Sequence, residues 1–169
     1  EIRVGVAPYD VAISPDERFA YVSNWGGRRP RPGERTAPSS GSPTLIDPRG
    51  VASSGTVSKV DLLMGWETTS VSVGLHPSDL ALSPRGETLY VANANSDTVS
   101  VIDTATLRVA NTIDVRPDTR LPFGSAPTGL ALSPRGGFLY VTLGGNNAVA
   151  VVSLLTKSSP RVIGYLPTG

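Results

Sequence analysis

Polar and apolar residues exchange places at every second position through a series of short runs. The clearest are Thr56-Val57-Ser58-Lys59-Val60-Asp61, Thr98-Val99-Ser100-Val101-Ile102-Asp103, Ala148-Val149-Ala150-Val151-Val152-Ser153 and Val109-Ala110-Asn111-Thr112-Ile113-Asp114-Val115. A period of two with many β-branched residues marks β-strands, because successive side chains of a strand point to opposite faces. Between the runs stand Ser83-Pro84-Arg85-Gly86, Ser133-Pro134-Arg135-Gly136 and Asn-rich breaks, which supply turn chemistry. The pattern predicts many short strands and tight turns.

The runs recur as units, and self-similarity at a fixed period sets the architecture. Pro8-Tyr9-Asp10-Val11-Ala12-Ile13-Ser14-Pro15 leads to Phe19-Ala20-Tyr21-Val22-Ser23-Asn24. Pro77-Ser78-Asp79-Leu80-Ala81-Leu82-Ser83-Pro84 leads to Thr88-Leu89-Tyr90-Val91-Ala92-Asn93, and Pro127-Thr128-Gly129-Leu130-Ala131-Leu132-Ser133-Pro134 to Phe138-Leu139-Tyr140-Val141-Thr142-Leu143. With the alternating runs above, each unit holds four strands, and four consecutive antiparallel strands describe one blade of a β-propeller. A blade is apolar on both faces because neighbours pack on either side, which fits Leu80 and Leu82 opposing Ala81.

The bulk numbers agree with an all-β chain. Of 169 residues 39% are hydrophobic and only 17% charged, while Gly (18) and Pro (15) are abundant. A formal charge of +1 is too near balance for a dedicated nucleic-acid binder. With no cysteine there is neither a disulfide nor a thiolate metal site, and no apolar run approaches the ~20 residues of a membrane helix.

The Tyr-Val-x-Asn stretches at Tyr21 and Tyr90, the imperfect one at Tyr140, and the Ser-Pro-x-Gly turns before them resemble the YVTN-repeat (YncE-like) family of propellers. That resemblance implies a seven-bladed ring, so the expected fold is a partial propeller of about three four-stranded antiparallel blades. Its units are 1–5, the last strand of a preceding blade; 6–74, a blade with a long loop insertion at 25–55; 75–116, a second blade; and 117–169, a third with a short insertion at 116–124. Departures from the repeat fall at Leu143, Ser153 and Asp16-Glu17. Trp25-Gly26-Gly27-Arg28-Arg29-Pro30-Arg31-Pro32-Gly33 and Val51–Val57 are similar to an insertion in propellers joined to alkaline-phosphatase-like phosphoesterase domains, which implies a catalytic domain outside this chain.

Connectivity then selects a working face. The loop from strand two to strand three and the loop to the next blade lie on the same side, so the long insertion and the loop Arg116–Phe123 share a face. Long loops usually bind, cover or connect something. The residues expected there are Trp25, Arg28, Arg29, Arg31, Arg35, His76, Arg120 and Phe123, and the excess of arginine suits an acidic or phosphorylated ligand. A solvated, Pro-stiffened loop tucked against a neighbouring blade is the alternative.

His76, the only histidine, suits a general base or an axial ligand, yet Ala7 and Ala126 at its repeat position show that the fold does not require it. Asn93, Asn95 and Asp97 alternate like the start of a calcium loop, but no Gly stands sixth and Thr104 stands twelfth. No catalytic, cofactor or metal site is expected. The expectation is a non-catalytic scaffold that binds a protein or ligand through its loop face, partnered by remaining blades, a fused domain or another protein. The alternatives are the leading propeller of a secreted or periplasmic phosphoesterase and, third, a redox or lactone-hydrolysing propeller. The family resemblance implies a periplasmic, cell-surface or secreted location.

Overall fold

A computed structural model of the protein describes residues 1–39, 41–120, 122–156 and 159–168. Strands β1 (Val6–Ile13) and β2 (Phe19–Gly27) open the first blade, the hairpin β3 (Thr36–Ser39) and β4 (Ser42–Leu45) interrupts it, and β5 (Thr56–Asp61) and β6 (Trp66–Ser72) complete it. The second blade is β7 (Pro77–Leu82), β8 (Thr88–Asn93), β9 (Thr98–Asp103) and β10 (Arg108–Asp114). The third is β11 (Pro127–Leu132), β12 (Phe138–Leu143), β13 (Ala148–Ser153) and β14 (Arg161–Pro167). Each blade is a four-stranded antiparallel sheet in chain order, as the repeat predicts.

Two apolar seams hold the blades together. The first joins Tyr21 and Val57 to Leu80, Leu89, Val91 and Ile102, with Leu82 packed beside them. The second joins Tyr90, Val99 and Val101 to Leu139, Val141 and Val152, with Ala81, Leu130 and Leu132 beside them. Leu80 and Leu82 thus face one neighbour and Ala81 the other, because adjacent strand residues point to opposite faces. Burying a side chain as completely as Leu89, Ile102 or Leu139 contributes about 1.5–3 kcal/mol.

The repeat tyrosines differ according to what lies beside them. Tyr21 and Tyr90 are 2% and 7% exposed in the seams, whereas Tyr140 is 37% exposed because no fourth blade covers it here. On the opposite flank Val11 is 56% exposed where its equivalent, Leu80, is 8%.

Polar bonds cross the same seams near the inner strands. Ser23 Oγ donates to the Ser78 carbonyl (2.6 Å), and Ser78 Oγ to the Pro127 carbonyl (3.3 Å). The Leu80 amide donates to Asp10 Oδ2 (2.8 Å), and one blade on the Leu130 amide donates to Asp79 Oδ2 (2.5 Å). An inner-strand carboxylate therefore clasps the next inner strand at each seam.

The Asn of each Tyr-Val-x-Asn stretch anchors a second repeated device. Asn24 Nδ2 donates to Thr56 Oγ1 and Ser58 Oγ (3.1 and 2.8 Å), and Asn93 Nδ2 to Thr98 Oγ1 and Ser100 Oγ (3.1 and 2.9 Å). A Cβ on Gly5 or Gly74 would lie 2.5 Å from Asn24 Cγ or 2.7 Å from Asn93 Cγ, so these glycines make room for the amides. In the third blade Leu143 replaces the Asn, and Ala148 and Ala150 stand where the hydroxyls were. The departure at Leu143 is thus a concerted exchange of a polar trio for an apolar one.

Residues 1–5, expected as the last strand of a preceding blade, lie before β1, and the Val4 carbonyl accepts from Arg29 Nε (2.8 Å). The insertion is not a plain loop. Strand β2 runs on to Gly27, β3 and β4 pair, and Ile46 bridges to Ala52.

Leu143→Asn alone would bury an amide without acceptors and should cost about 1–3 kcal/mol. The triple variant Leu143→Asn, Ala148→Thr, Ala150→Ser should recover much of that loss. Urea unfolding midpoints of the two variants test the exchange.

Candidate functional site

Three positions break the repeat with larger side chains. Tyr9 stands where the other blades have Ser78 and Thr128, Trp25 where they have Ala94 and Gly144, and His76 where they have Ala7 and Ala126. They come from β1, from the end of β2 and from the turn before β7, yet they meet at one point on the first seam. The Trp25 ring lies between the other two, 4.7 Å from His76 in a stacked arrangement (interplanar angle 20°) and 5.1 Å from Tyr9, tilted by 31°. Such offset aromatic pairs gain roughly 0.5–1.5 kcal/mol beyond area burial.

Local backbone explains how the imidazole is aimed. His76 has φ 51°, in the left-handed region, and so do Ala7 (51°) and Ala126 (49°) at the same repeat position. The conformation belongs to the repeat: the Ala94 amide donates to the His76 carbonyl (3.0 Å), as the Gly144 amide does to that of Ala126 (3.2 Å). Tyr9 occupies the place of Ser78, which is fully buried in the second seam. A phenol is too large for that slot, and Tyr9 is 61% exposed. It forms the solvent end of the stack, while Trp25 and His76 are half-buried.

The inner strands also bring Asp10 and Asp79 together. Burial first, and then the neighbouring Asp10 carboxyl, push the Asp79 carboxyl above its ordinary range, against the pull of the Leu130 and Leu80 amides. Sequence reasoning missed this pair, although Asp10 and Asp79 share a repeat position and alone among the first-strand equivalents carry charge, Gly129 being the third.

The arginines of the insertion are partly engaged. Arg28 grips Glu34 through both guanidinium nitrogens (2.8 and 2.6 Å), and Glu34 also accepts the Arg31 amide (2.7 Å). These bonds hold the Glu34 carboxyl down at about 2. Its contribution is present above the unfolded value of 4.5 and is lost as pH falls through about 2. Arg29 reaches Val4, and Arg49 pairs with Asp47 (2.7 Å). Arg28 and Arg35 line a polar cleft of about 470 Å3 between the hairpin and the turn into the second blade, together with Ser53, Ser54, Ser72 and Leu75.

The second loop makes contacts of its own. Arg120 pairs with Asp118 (2.6 Å), Phe123 is 67% exposed with the Arg116 guanidinium 4.9 Å from its ring centroid, and Leu121 is outside the described residues. Of the expected residues, Trp25 and His76 come together, and Tyr9 joins them unforeseen. Within the calcium-like run the Asp97 carboxylate is used internally: it is buried and accepts the Gly124 and Ala126 amides (2.7 and 3.0 Å).

Three four-stranded blades packed about common seams define a β-propeller. Residues 5–106 match the family described as "Lactonase, 7-bladed beta-propeller", and the chain belongs to that family. No curated protein matches. Solved structures show the same fold at low identity. A functionally unknown protein from Desulfotomaculum acetoxidans is 16% identical over 96% of this chain and 43% of its own (TM-score 0.61). Hydrazine synthase of Kuenenia stuttgartiensis is 19% identical over 99% and 64% (TM-score 0.58). The periplasmic gluconolactonase PpgL of Pseudomonas aeruginosa is 19% identical over 96% and 58% (TM-score 0.57). The chain thus spans about half the length of these proteins.

Because the folded-state value of Asp79 is raised above 3.8, its contribution is fully present below that value and is lost as pH climbs through the folded one. Asp79→Asn keeps an acceptor and removes the charge. The variant should therefore gain stability relative to the parent between pH 4 and pH 7, read as the difference in thermal midpoints across that range.

Proposed function

We propose that this chain is part of a ligand-binding propeller whose working face carries the 25–55 insertion, with the Tyr9–Trp25–His76 stack as the contact point. The observation that carries this reading is the convergence of three off-repeat side chains. Ser, Thr, Ala and Gly satisfy the fold at the same positions in the other blades, so packing does not demand the rings. The π face of an aromatic ring suits the C–H face of a sugar ring. Membership of a family described as lactonase, and likeness in fold to a gluconolactonase, support a sugar lactone as the ligand class. Arg35 and the serines of the adjoining cleft would take up carboxylate or phosphate groups on such a ligand or on an acidic partner.

The reading is of a binding module, with protein partners or further blades completing the ring. A second reading, lactone hydrolysis, is favoured by the family match and gives His76 the role of base for an attacking water. The Tyr-Val-x-Asn repeats support a YVTN-type propeller. Residues 25–33 and 51–57 support a placement beside a phosphoesterase domain, and with it a periplasmic or secreted location.

Titration with glucono-δ-lactone, followed by tryptophan emission and calorimetry, tests the reading. Trp25→Ala and Tyr9→Ala should each weaken binding at least about tenfold, roughly 1.4 kcal/mol. Equal affinity of both variants and parent would remove the stack as the site. Under the second reading His76→Ala also abolishes turnover while binding persists.

A further inference from the structure

We propose that the rim opposite the insertion docks on a lipid bilayer, with Leu63, Met64 and Trp66 seated in its interface. The turn from strand three to strand four of the first blade exposes these side chains by 85%, 55% and 55%. The turn itself is closed by hydrogen bonds. Asp61 Oδ1 accepts the Leu63 and Met64 amides (both 3.0 Å), and the Asp61 carbonyl accepts the Gly65 amide (2.8 Å).

The second blade supplies an internal control. Its equivalent turn is closed the same way, Asp103 Oδ1 accepting the Thr106 amide (2.7 Å) and the Asp103 carbonyl the Leu107 amide (2.8 Å). There the exposed residues are Ala105, Thr106 and Arg108. They remain exposed although the first blade lies alongside, so neither the turn nor a missing neighbour accounts for the apolar tip. In the third blade Leu155, at the position of Leu63, is 72% exposed on the same face.

The shape of the feature selects its occupant. A stable protein interface buries about 800 Å2 per partner around a packed centre, more than three side chains on one convex turn supply, and β6 beside it is polar (Glu67, Thr68, Thr69, Ser70). A few large apolar groups with an interfacial tryptophan on a hydrogen-bonded turn are what a bilayer surface accepts. Arg18, Lys59 and Arg108 in the neighbouring cleft are offset by Asp61, Glu67, Asp16 and Glu17, so the attachment is apolar and needs no anionic lipid.

Co-sedimentation with phosphatidylcholine vesicles, with and without phosphatidylglycerol, tests this. The control variant Leu63→Ala, Met64→Thr, Trp66→Arg carries the second blade's own turn residues, and its circular dichroism should match the parent. The parent should bind both vesicle types, the variant at least about fivefold less. In a Trp25→Phe background, Trp66 emission should move to shorter wavelength on adding vesicles. Absence of parent binding, equal binding by the variant, or a concentration-dependent dimer that the variant abolishes without any vesicle binding would each overturn the proposal.

Discussion

A four-stranded sheet with two apolar faces is stable only between neighbours, and this requirement shapes everything else in the chain. Leu80 and Leu82 seal one seam while Ala81 seals the next, and Tyr21 and Tyr90 repeat the arrangement one blade apart. The polar bonds are subordinate to that packing. Asp10 reaches the Leu80 amide and Asp79 the Leu130 amide because the seams already hold the inner strands side by side.

A repeat also provides its own control for function. Where all three blades carry equivalent residues, the fold explains them; where one blade departs, the fold explains it only if the residues in contact change to compensate, and otherwise something else must. By that test Leu143 is structural, since Ala148 and Ala150 change with it, whereas Tyr9, Trp25 and His76 are not matched by any compensating small residues and instead meet one another. The two ends of the first blade are specialised in different ways: a ringed, insertion-bearing face, and an opposite rim tipped with Leu63, Met64 and Trp66.

Much of the fold was legible in the sequence because strand periodicity is local: the alternation in Thr98–Asp103 suffices to place β9 and its two faces. The site was legible only in part. Trp25 and His76 stood out as single occurrences, but their contact depends on the left-handed turn at residue 76, which no side-chain pattern announces because Ala7 and Ala126 adopt it too. Tyr9 was hidden inside a strand. The insertion read as a loop because Pro38 and Pro43 obscure a hairpin in which they face each other. Its basic character overstated the free charge, since Glu34 and Asp47 engage Arg28 and Arg49.

The seam itself is open to direct measurement by a double-mutant cycle between Tyr21 on the first blade and Leu80 on the second, using Tyr21→Ala, Leu80→Ala and the pair. If blades stabilise one another through this contact, the two losses should be non-additive, with a coupling of about 0.5–3 kcal/mol in urea unfolding. Losses that sum to within about 0.3–0.5 kcal/mol would mean that the sheets stand independently, and the account would fail.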